Sequence, residues 1–441
     1  MILIASRVPD PALRRLTATL YGYAFLSDLV LLYPLYVVFF ADTGLSVGQI
    51  ASLFVIWSAA GILFEVPSGA WADVLSRRLL LCLAPLVAAA GFALWVLLPS
   101  YPAFAVGFLL WGAGGALVSG ALEALVWTEL DRLGAVGRYA RVLGRARTAG
   151  VLGVVGSGVL AGPVLAVGGY PAVGGASVLA CLLATVVATR FPEHRAAAAA
   201  QPESPDDDGG LGWWDTLRAG VAQVRTRPPV RSAVLLVAVV AADWGALDEY
   251  TPLLALDAGV AAQGVPLLLL LLWAGVTVGG LLAPAGERLG GRGYAALLGL
   301  VGFALAGGAL LRHPAGFVLL AVAFGAAQLA TVLADARLQA RITGTSRATV
   351  TSLAGMATDV LTVVTYAGYG LFATAAGNAV AFALTAGAYL VVALVLLTRR
   401  RRRTAVPAGV AAAVPGGPDR PRTGGGPSGP PPGCTVSWPG G

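Results

Sequence analysis

The chain contains about twelve apolar runs, each close to the ~20 residues that an α-helix needs to cross a bilayer. Backbone polar groups find no water in the hydrocarbon core, so runs of this length are expected to fold as helices. Only 12% of the residues are charged, against roughly 25% in soluble domains, which excludes a soluble globular fold. The sequence therefore predicts an all-α integral membrane protein. The predicted spans are Leu16–Phe40, Ser46–Pro67, Leu79–Leu98, Ala103–Leu125, Thr148–Gly168, Pro171–Thr189, Ser232–Leu256, Gly264–Ala283, Tyr294–Leu311, Ala315–Ala334, Thr349–Phe372 and Ala375–Thr398.

Six runs precede a polar linker and six follow it, as in a duplicated unit. Asp42-Thr-Gly-Leu after the first run is echoed by Asp257-Ala-Gly-Val after the seventh, and at that offset Asp28 falls opposite Asp243. Weak internal repeats of this kind are typical of secondary transporters. We expect a six-helix bundle over residues 1–190 and a second over 231–398. Between them, 191–230 is predicted to be a cytoplasmic linker with an amphipathic helix, and 399–441 a basic anchor with a disordered tail.

Arginine placement predicts how the chain is oriented. The sequence contains no lysine, and when the loops are assigned to alternate sides only Arg312 falls opposite the other arginines. Arginine-rich loops stay in the cytoplasm, so we expect a multi-pass protein of the cytoplasmic membrane with both termini cytoplasmic. The run Arg399–Arg403 directly follows a span, which favours a lipid anchor over nucleic-acid binding. We expect a monomer whose partners are the lipid bilayer and a small-molecule substrate.

Several classes of protein are excluded by residues that the sequence lacks. Without lysine there is no phosphate-binding Gly-x-x-x-x-Gly-Lys loop, and hence no ATP motor of that class. No Gly-x-Ser-x-Gly element occurs, and His194 and His313 are far apart in sequence. Cys82 and Cys181 lie inside apolar runs, as inert thiols commonly do. We expect no enzyme, no metal site and no cofactor. A transporter without such a motor would use an ion gradient, which we expect to be the proton gradient, or would move its substrate downhill.

Carboxyl groups inside the apolar runs are the main functional candidates, because an ionisable group in the bilayer is costly unless it faces water or a partner. Asp28, Asp243 and Asp359 each lie roughly 15–18 Å from the predicted cytoplasmic start of their run, near the middle of a ~30 Å core. No run that holds them contains a basic residue, so burial favours the protonated form and makes proton coupling accessible. The alternative is that each only bridges helices. The other predicted cavity residues are Glu123, Glu249, Tyr33 and Tyr250.

The polar stretch from Glu65 to Arg78 carries the most specific motif of the chain. Its pattern Gly69-x-x-x-Asp73-x-x-x-Arg77-Arg78 follows the second span and is predicted to form a hairpin between two antiparallel helices. This pattern resembles the signature loop of the major facilitator superfamily of secondary transporters. The resemblance implies two six-helix bundles that rock about a central site, with spans one, four, seven and ten around the cavity and spans three, six, nine and twelve towards lipid. All charged residues of the predicted spans fall outside spans three, six, nine and twelve, which fits that arrangement.

The resemblance also implies a gate on the cytoplasmic side. We expect Arg77 or Arg78 to reach Glu129 or Asp131 at the foot of span four. Asp73 is expected to face the amino-terminal end of span eleven, where free N–H groups and the helix dipole favour an anion. The loop after span eight keeps little of the motif, so the sequence predicts no matching contact in the second half.

The acidic interior, without arginine to hold an anion, favours a proton-coupled exporter of a small amphipathic or cationic organic compound. Two alternatives remain open at this point. One is a proton symporter or facilitator for uptake of a small metabolite. The other is a receptor or scaffold that transports nothing, and such a protein would keep its function when Asp28 and Asp243 are neutralised.

Overall fold

The computed structural model describes residues 11–119, 121–194, 213–342 and 347–404, with the side chains of 65–74, 213–217, 219–220, 347–348 and 399–404 outside that description. All regular elements in the described ranges are helices. The described residues up to Leu397 form one compact unit. The predicted disordered part of the linker and the predicted tail lie outside the described residues.

The first half supplies six spans. Span one consists of two helices, α1 and α2, spans two and three are α3 and α4, and span four consists of α5 and α6. A single long helix, α7, changes direction at Gly169 (φ 63°, ψ −167°) and so supplies spans five and six. These helices are α1 (Pro11–Asp28), α2 (Tyr36–Asp42), α3 (Val47–Val74), α4 (Arg77–Leu97), α5 (Tyr101–Val118), α6 (Ala121–Arg132) and α7 (Tyr139–Ala188).

The second half repeats this pattern after the helix α8 (Trp213–Thr226), which lies within the predicted linker. Span seven is again split, into α9 and α10, and span eight carries a short extension, α12. Ten helical segments of the described ranges are long and apolar enough to cross a membrane, and the folded-back α7 is one of them. With α7 counted as two spans, and with α1 and α2 together as span one, the described ranges contain twelve spans in two sets of six, as the sequence predicted. The remaining helices are α9 (Pro228–Asp248), α10 (Thr251–Asp257), α11 (Val265–Leu281), α12 (Ala283–Gly286), α13 (Gly291–Leu310), α14 (Gly316–Gln339), α15 (Arg347–Ala376) and α16 (Asn378–Thr404).

Spans one and seven are interrupted, whereas the sequence predicted continuous helices there. A proline lies within the first interruption, Pro34 between α1 and α2, and another directly after the second, Pro252 in the first turn of α10. Proline removes a backbone donor and clashes with the preceding turn, so a helix cannot run through it undisturbed. The N–H of Leu32 in the first break donates to the Ser177 hydroxyl of span six at 2.9 Å. Discontinuous helices near the middle of the membrane are a feature of transporter binding sites.

The short helices α2 and α10 end in the same way, which bears out the repeat seen in the sequence. Each closes on an aspartate, and a glycine with positive φ follows two residues later, Gly44 (φ 90°) and Gly259 (φ 80°). Only glycine adopts this conformation without steric cost, so both turns depend on it. Asp42 accepts a hydrogen bond of 2.5 Å from the Tyr170 hydroxyl, and Asp257 accepts one of 2.9 Å from the Asn378 amide.

The polar stretch from Glu65 to Arg78 is not the hairpin that the sequence suggested. Helix α3 continues to Val74, and the turn consists of Leu75 and Ser76 alone before α4 begins. A helix can extend beyond the hydrocarbon core because water satisfies its polar side chains there. Ser76 caps α4, since its hydroxyl accepts a hydrogen bond from the N–H of Leu79.

Glycines allow helices of the second half to pack at very short distance. A Cβ on Gly279 of α11 would collide with the Gly325 carbonyl of α14, and a Cβ on Gly325 would collide with the Gly275 carbonyl of α11. Small residues are what bring membrane helices into close contact. The neighbouring Gly280 has open space where its Cβ would lie.

We expect Gly279→Ala to destabilise the protein by about 1–3 kcal/mol, because α11 and α14 must move apart to admit the methyl group. Gly280→Ala is the matched control and should be neutral or slightly stabilising, since alanine is the better helix former. Thermal unfolding of the purified protein in detergent measures both. Equal melting temperatures for the two variants would contradict the close packing.

The two halves meet near one end of the bundle. We call the end with connections 43–46 and 258–264 the junction end, and the opposite end, with connections 75–76 and 287–290, the terminal end. At the junction end a Cβ on Gly48 of α3 would lie 3.4 Å from the Thr374 hydroxyl of α15, and a Cβ on Gly370 would press against Ala51. Span five meets the start of span eight there as well, where Gly162 leaves room for the Gln263 carbonyl.

Candidate substrate site

Two carboxyl groups lie at the break in span seven. Asp248 is the last residue of α9 and Glu249 the first residue of the break. The hydroxyl of Tyr36, the first residue of α2, donates to the Glu249 carboxylate, which links the broken spans of the two halves. Asp248 Oδ1 is buried without a hydrogen-bond partner in the described structure. Such an oxygen is costly to bury, and a cation or a proton could satisfy it.

Aromatic rings from both halves surround this break. The Tyr33 ring lies 6.1 Å from Trp111 of span four and 5.9 Å from Trp273 of span eight, measured between centroids. The Tyr250 ring stacks on Tyr369 of span eleven at 3.7 Å. Aromatic faces carry partial negative charge, so together with two carboxyl groups they form an environment suited to an organic cation.

Asp28 is the last residue of α1 and its side chain is exposed. It lies against span five, where a Cβ on Gly150 would collide with its carboxylate and a Cβ on Gly153 with the Phe25 carbonyl. A carboxylate exposed to lipid would be very costly, so we infer that its exposed side faces water between the halves.

Asp243, in contrast, is buried in the second half with only 5% exposure, and its Oδ2 has no hydrogen-bond partner in the described structure. Beside it, the Tyr389 hydroxyl of span twelve donates to the Val240 carbonyl at 2.9 Å and accepts from the Trp244 N–H at 3.0 Å. The Tyr389 hydroxyl therefore lies between a carbonyl and an N–H of the α9 backbone, and the N–H belongs to the residue after Asp243. The two aspartates that correspond in sequence thus have different surroundings.

The other predicted cavity residues are spread over the molecule. Asp359 in α15 and Glu123 in the first turn of α6 are exposed. Tyr33 in the break of span one and Glu249 in the break of span seven are half-buried. Tyr250 is fully buried, and its hydroxyl donates to the Tyr366 carbonyl at 3.1 Å.

At the terminal end, Arg77 contacts span four but not the residues that the motif suggested. Its Nη1 donates to the Ala124 carbonyl at 3.1 Å and to the Thr128 hydroxyl at 3.0 Å, one residue before Glu129. Glu129 is instead buried in contact with Arg132 at 3.1 Å and His194 at 3.1 Å. In this structure Arg77 does not pair with Glu129, because a nearer arginine and a histidine occupy that carboxylate.

Arg78 and Asp131 are exposed at this end. Gly69 and Asp73 lie on the described helix α3, but the side chains of 65–74 are not described. The predicted contact of Asp73 with span eleven therefore lies outside the described residues.

Two residues after span six complete this contact region and were not predicted from the sequence. Glu193 accepts from the Arg77 N–H at 2.7 Å and from the Ser76 hydroxyl, so a carboxylate neutralises the start of α4. The next residue, His194, donates its backbone N–H to Glu129 at 2.8 Å. Both residues fall in the range 191–230 that the sequence predicts as linker. A polar pair this close to the end of span six was the signal that could have placed them in the contact region.

The second half has a corresponding contact between its third and fourth spans, but there the arginine lies on the fourth span instead of the third. Arg337 near the end of α14 donates to the Leu289 carbonyl in the loop after span eight at 3.2 Å. Its guanidinium lies 3.8 Å from the centre of the Tyr294 ring of α13. The second half therefore has an arginine contact between these segments, although its loop keeps little of the motif.

We expect Arg77→Ala to lower the free energy of unfolding by about 1 kcal/mol or more, because two acceptors on α6 lose a charged donor. Arg78→Ala is the matched control, since this neighbour is exposed. Denaturation of the purified variants provides the comparison. A loss for Arg78→Ala as large as that for Arg77→Ala would contradict the contact.

The sequence matches the family model described as Major Facilitator Superfamily over residues 18–294, more than half of its length. The chain belongs to the major facilitator superfamily. No curated protein matches the sequence. As a member of this family it is a transporter and not an enzyme. Such transporters generally need no cofactor, and the described residues contain no group of three or more metal-binding side chains.

Solved structures with the same fold are themselves transporters. The nucleoside transporter NupG has a TM-score of 0.68 at 13% identity, with 88% of this chain and 99% of that chain covered. A bacterial homologue of the human lysosomal transporter Spinster, in an inward-facing and unoccupied conformation, has a TM-score of 0.66 at 16% identity over 89% and 96% of the two chains. A D-xylose–proton symporter has a TM-score of 0.57 at 16% identity over 87% and 96%. At identities this low, the similarity shows the fold of this major facilitator and does not identify its substrate.

Proposed function

We propose that this major facilitator exports a small organic cation across the cytoplasmic membrane in exchange for protons. The observation that carries the proposal is the set of carboxyl groups in the two broken spans, Asp28 in span one and Asp243, Asp248 and Glu249 in span seven. No arginine, lysine or histidine occurs between Arg15 and Arg77 or between Arg231 and Arg288. A cation or a proton is therefore what these groups can bind.

The carboxyl groups take different parts in the proposed cycle. Asp28, which is exposed, exchanges the organic cation with water between the halves. Asp243, which is buried among apolar groups, carries the proton, because burial without a counter-charge favours its neutral form. Glu249 holds the junction end shut through Tyr36. The aromatic rings around the span-seven break give the organic part of the cation an apolar surface.

The proposal includes the direction in which the cavity opens. Contacts between the halves at the junction end, such as that of Gly48 with Thr374, support a cavity open towards the terminal end. With both termini in the cytoplasm, as the arginine distribution predicts, this is an inward-facing state. A related fold is that of the Spinster homologue, which was solved in an inward-facing conformation.

We further propose that the signature stretch forms part of the cytoplasmic gate. In an outward-facing state the terminal ends must come together. Asp73, Arg78 and Asp131 are then the charged groups available to form contacts across that end. The Arg77 contact with span four holds the start of α4 in place for this step.

The test is transport in everted membrane vesicles with an imposed pH gradient, using a panel of organic cations and neutral sugars and nucleosides. Proton-coupled export predicts accumulation of a cation inside vesicles with an acidic lumen, and collapse of that accumulation when an ionophore removes the gradient. Accumulation that depends on a gradient of the opposite sign would indicate uptake by symport. Accumulation that is independent of any gradient would overturn proton coupling.

A further inference from the structure

A cavity of about 130 Å³ lies inside the first half, between spans one, three, four and six. Tyr23 and Ser27 line it from α1, Pro85 from α4, Trp111 and Gly115 from α5, and Cys181 from span six. It adjoins the aromatic cluster at the span-seven break through Trp111, whose ring also lies 6.1 Å from the Tyr33 ring. None of the transport steps proposed above uses this cavity.

The volume sets the size of what the cavity can hold. An apolar protein cavity of ~150 Å³ is known to bind benzene. A cavity of about 130 Å³ therefore has room for one six-membered ring or a branched chain of similar size.

The polar groups of the cavity indicate how such a ring would be oriented. Ser27 Oγ is buried and has no hydrogen-bond partner among the described residues. A buried hydroxyl without a partner is unfavourable, and a polar substituent on a bound ring would satisfy it. Ser27, which lines the cavity, directly precedes Asp28, whose carboxylate lies on the neighbouring side of α1 against span five and is the group that we assign to the cation.

We propose that this cavity is the subsite for a single-ring apolar group of the transported cation, with the ammonium group at Asp28 and a ring hydroxyl or similar substituent at Ser27. The inference rests on the proposed function and narrows its substrate class to single-ring aryl-alkyl amines. Trp111 forms the wall between this subsite and the aromatic cluster at the span-seven break.

Isothermal titration of the purified full-length protein in detergent tests the subsite, with methylamine and benzylamine as probes. One ring in an apolar pocket should improve binding by roughly 10-fold or more, so the wild type should prefer benzylamine by at least that factor. Gly115→Leu fills the cavity from its wall, since the position has open space for a Cβ. This variant should lose the preference and keep its affinity for methylamine.

The matched control is Gly299→Leu in α13, a helix glycine that also has open space for a Cβ but lies in the other half. It should keep the wild-type preference for benzylamine. An unchanged preference in Gly115→Leu would overturn the subsite, and so would a wild type that does not distinguish the two amines.

A second variant keeps the test decisive if Gly115→Leu does not fold. The wild type should bind 4-hydroxybenzylamine more tightly than benzylamine, and Ser27→Ala should bind the two equally. A difference that persists in Ser27→Ala would overturn the placement of the ring at Ser27.

Failure of the subsite and failure of the proposed function give different results. If amines move with the proton gradient in vesicles but Gly115→Leu keeps its ring preference, the subsite is wrong and the function stands. If the ring preference depends on Gly115 but no amine moves with the gradient, the binding site stands and proton-coupled export of amines is wrong.

Discussion

A disulfide between positions 48 and 374 is expected to stop transport completely. These positions face each other across the two halves at the junction end, where a Cβ on Gly48 would lie 3.4 Å from the Thr374 hydroxyl oxygen. In the pair Gly48→Cys and Thr374→Cys, the sulfur at position 374 replaces that hydroxyl and so lies next to the side chain at position 48, close enough for a disulfide to form. If the halves have to separate at this end during each cycle, a covalent link there blocks every turnover.

The measurement is transport in vesicles before and after oxidation, in a background in which Cys82, Cys181 and Cys434 are replaced by serine. The reducing agent dithiothreitol should restore the activity of the double variant, and each single cysteine variant should be unaffected by oxidation. Full activity of the cross-linked protein, with the link verified by mass spectrometry, would rule out separation of the halves at this end.

Asp243→Asn is expected to reduce gradient-driven accumulation to the level of protein-free vesicles. Asparagine has nearly the same shape as aspartate but cannot release a proton, so any coupling through this buried side chain is lost. Exchange of labelled for unlabelled substrate without a gradient should continue, because the cation itself is assigned to Asp28. Asp28→Asn should therefore abolish both driven accumulation and exchange.

Asp335→Asn is the matched control, since Asp335 is exposed near the terminal end of α14. It should leave both driven accumulation and exchange unchanged. Driven accumulation at the wild-type rate in Asp243→Asn would remove this aspartate from the coupling mechanism, whatever the result for Asp28→Asn.

The number and grouping of the spans could be predicted from the sequence because hydropathy is a property of each segment alone. The interruptions of spans one and seven could have been predicted too, since Pro34 and Pro252 stand inside or next to apolar runs. The echo of Asp42 in Asp257 was a reliable signal because both aspartates perform the same task, accepting a hydrogen bond from the connection between the last two spans of their half.

The candidate site could be predicted only in part. Sequence position placed Asp28 and Asp243 at equivalent points, yet one side chain is exposed and the other 5% exposed. Burial depends on which neighbour packs against a helix face, and the Tyr389 hydroxyl of a distant span is not visible from the sequence around Asp243. The partnership of Tyr36 with Glu249 likewise depends on how the two halves meet.

The arginine contacts at the terminal end have a consequence for how such duplicated proteins are compared. In the first half Arg77 at the start of span three reaches span four, whereas in the second half Arg337 on span ten reaches back to Leu289 before span nine. The same two segments are joined by an arginine in both cases, but the donor has moved from one segment to the other. Aligning the halves residue by residue would record the motif as lost in the second half. A comparison of joined segments would find it retained, so contacts can outlast the sequence signature from which they are usually inferred.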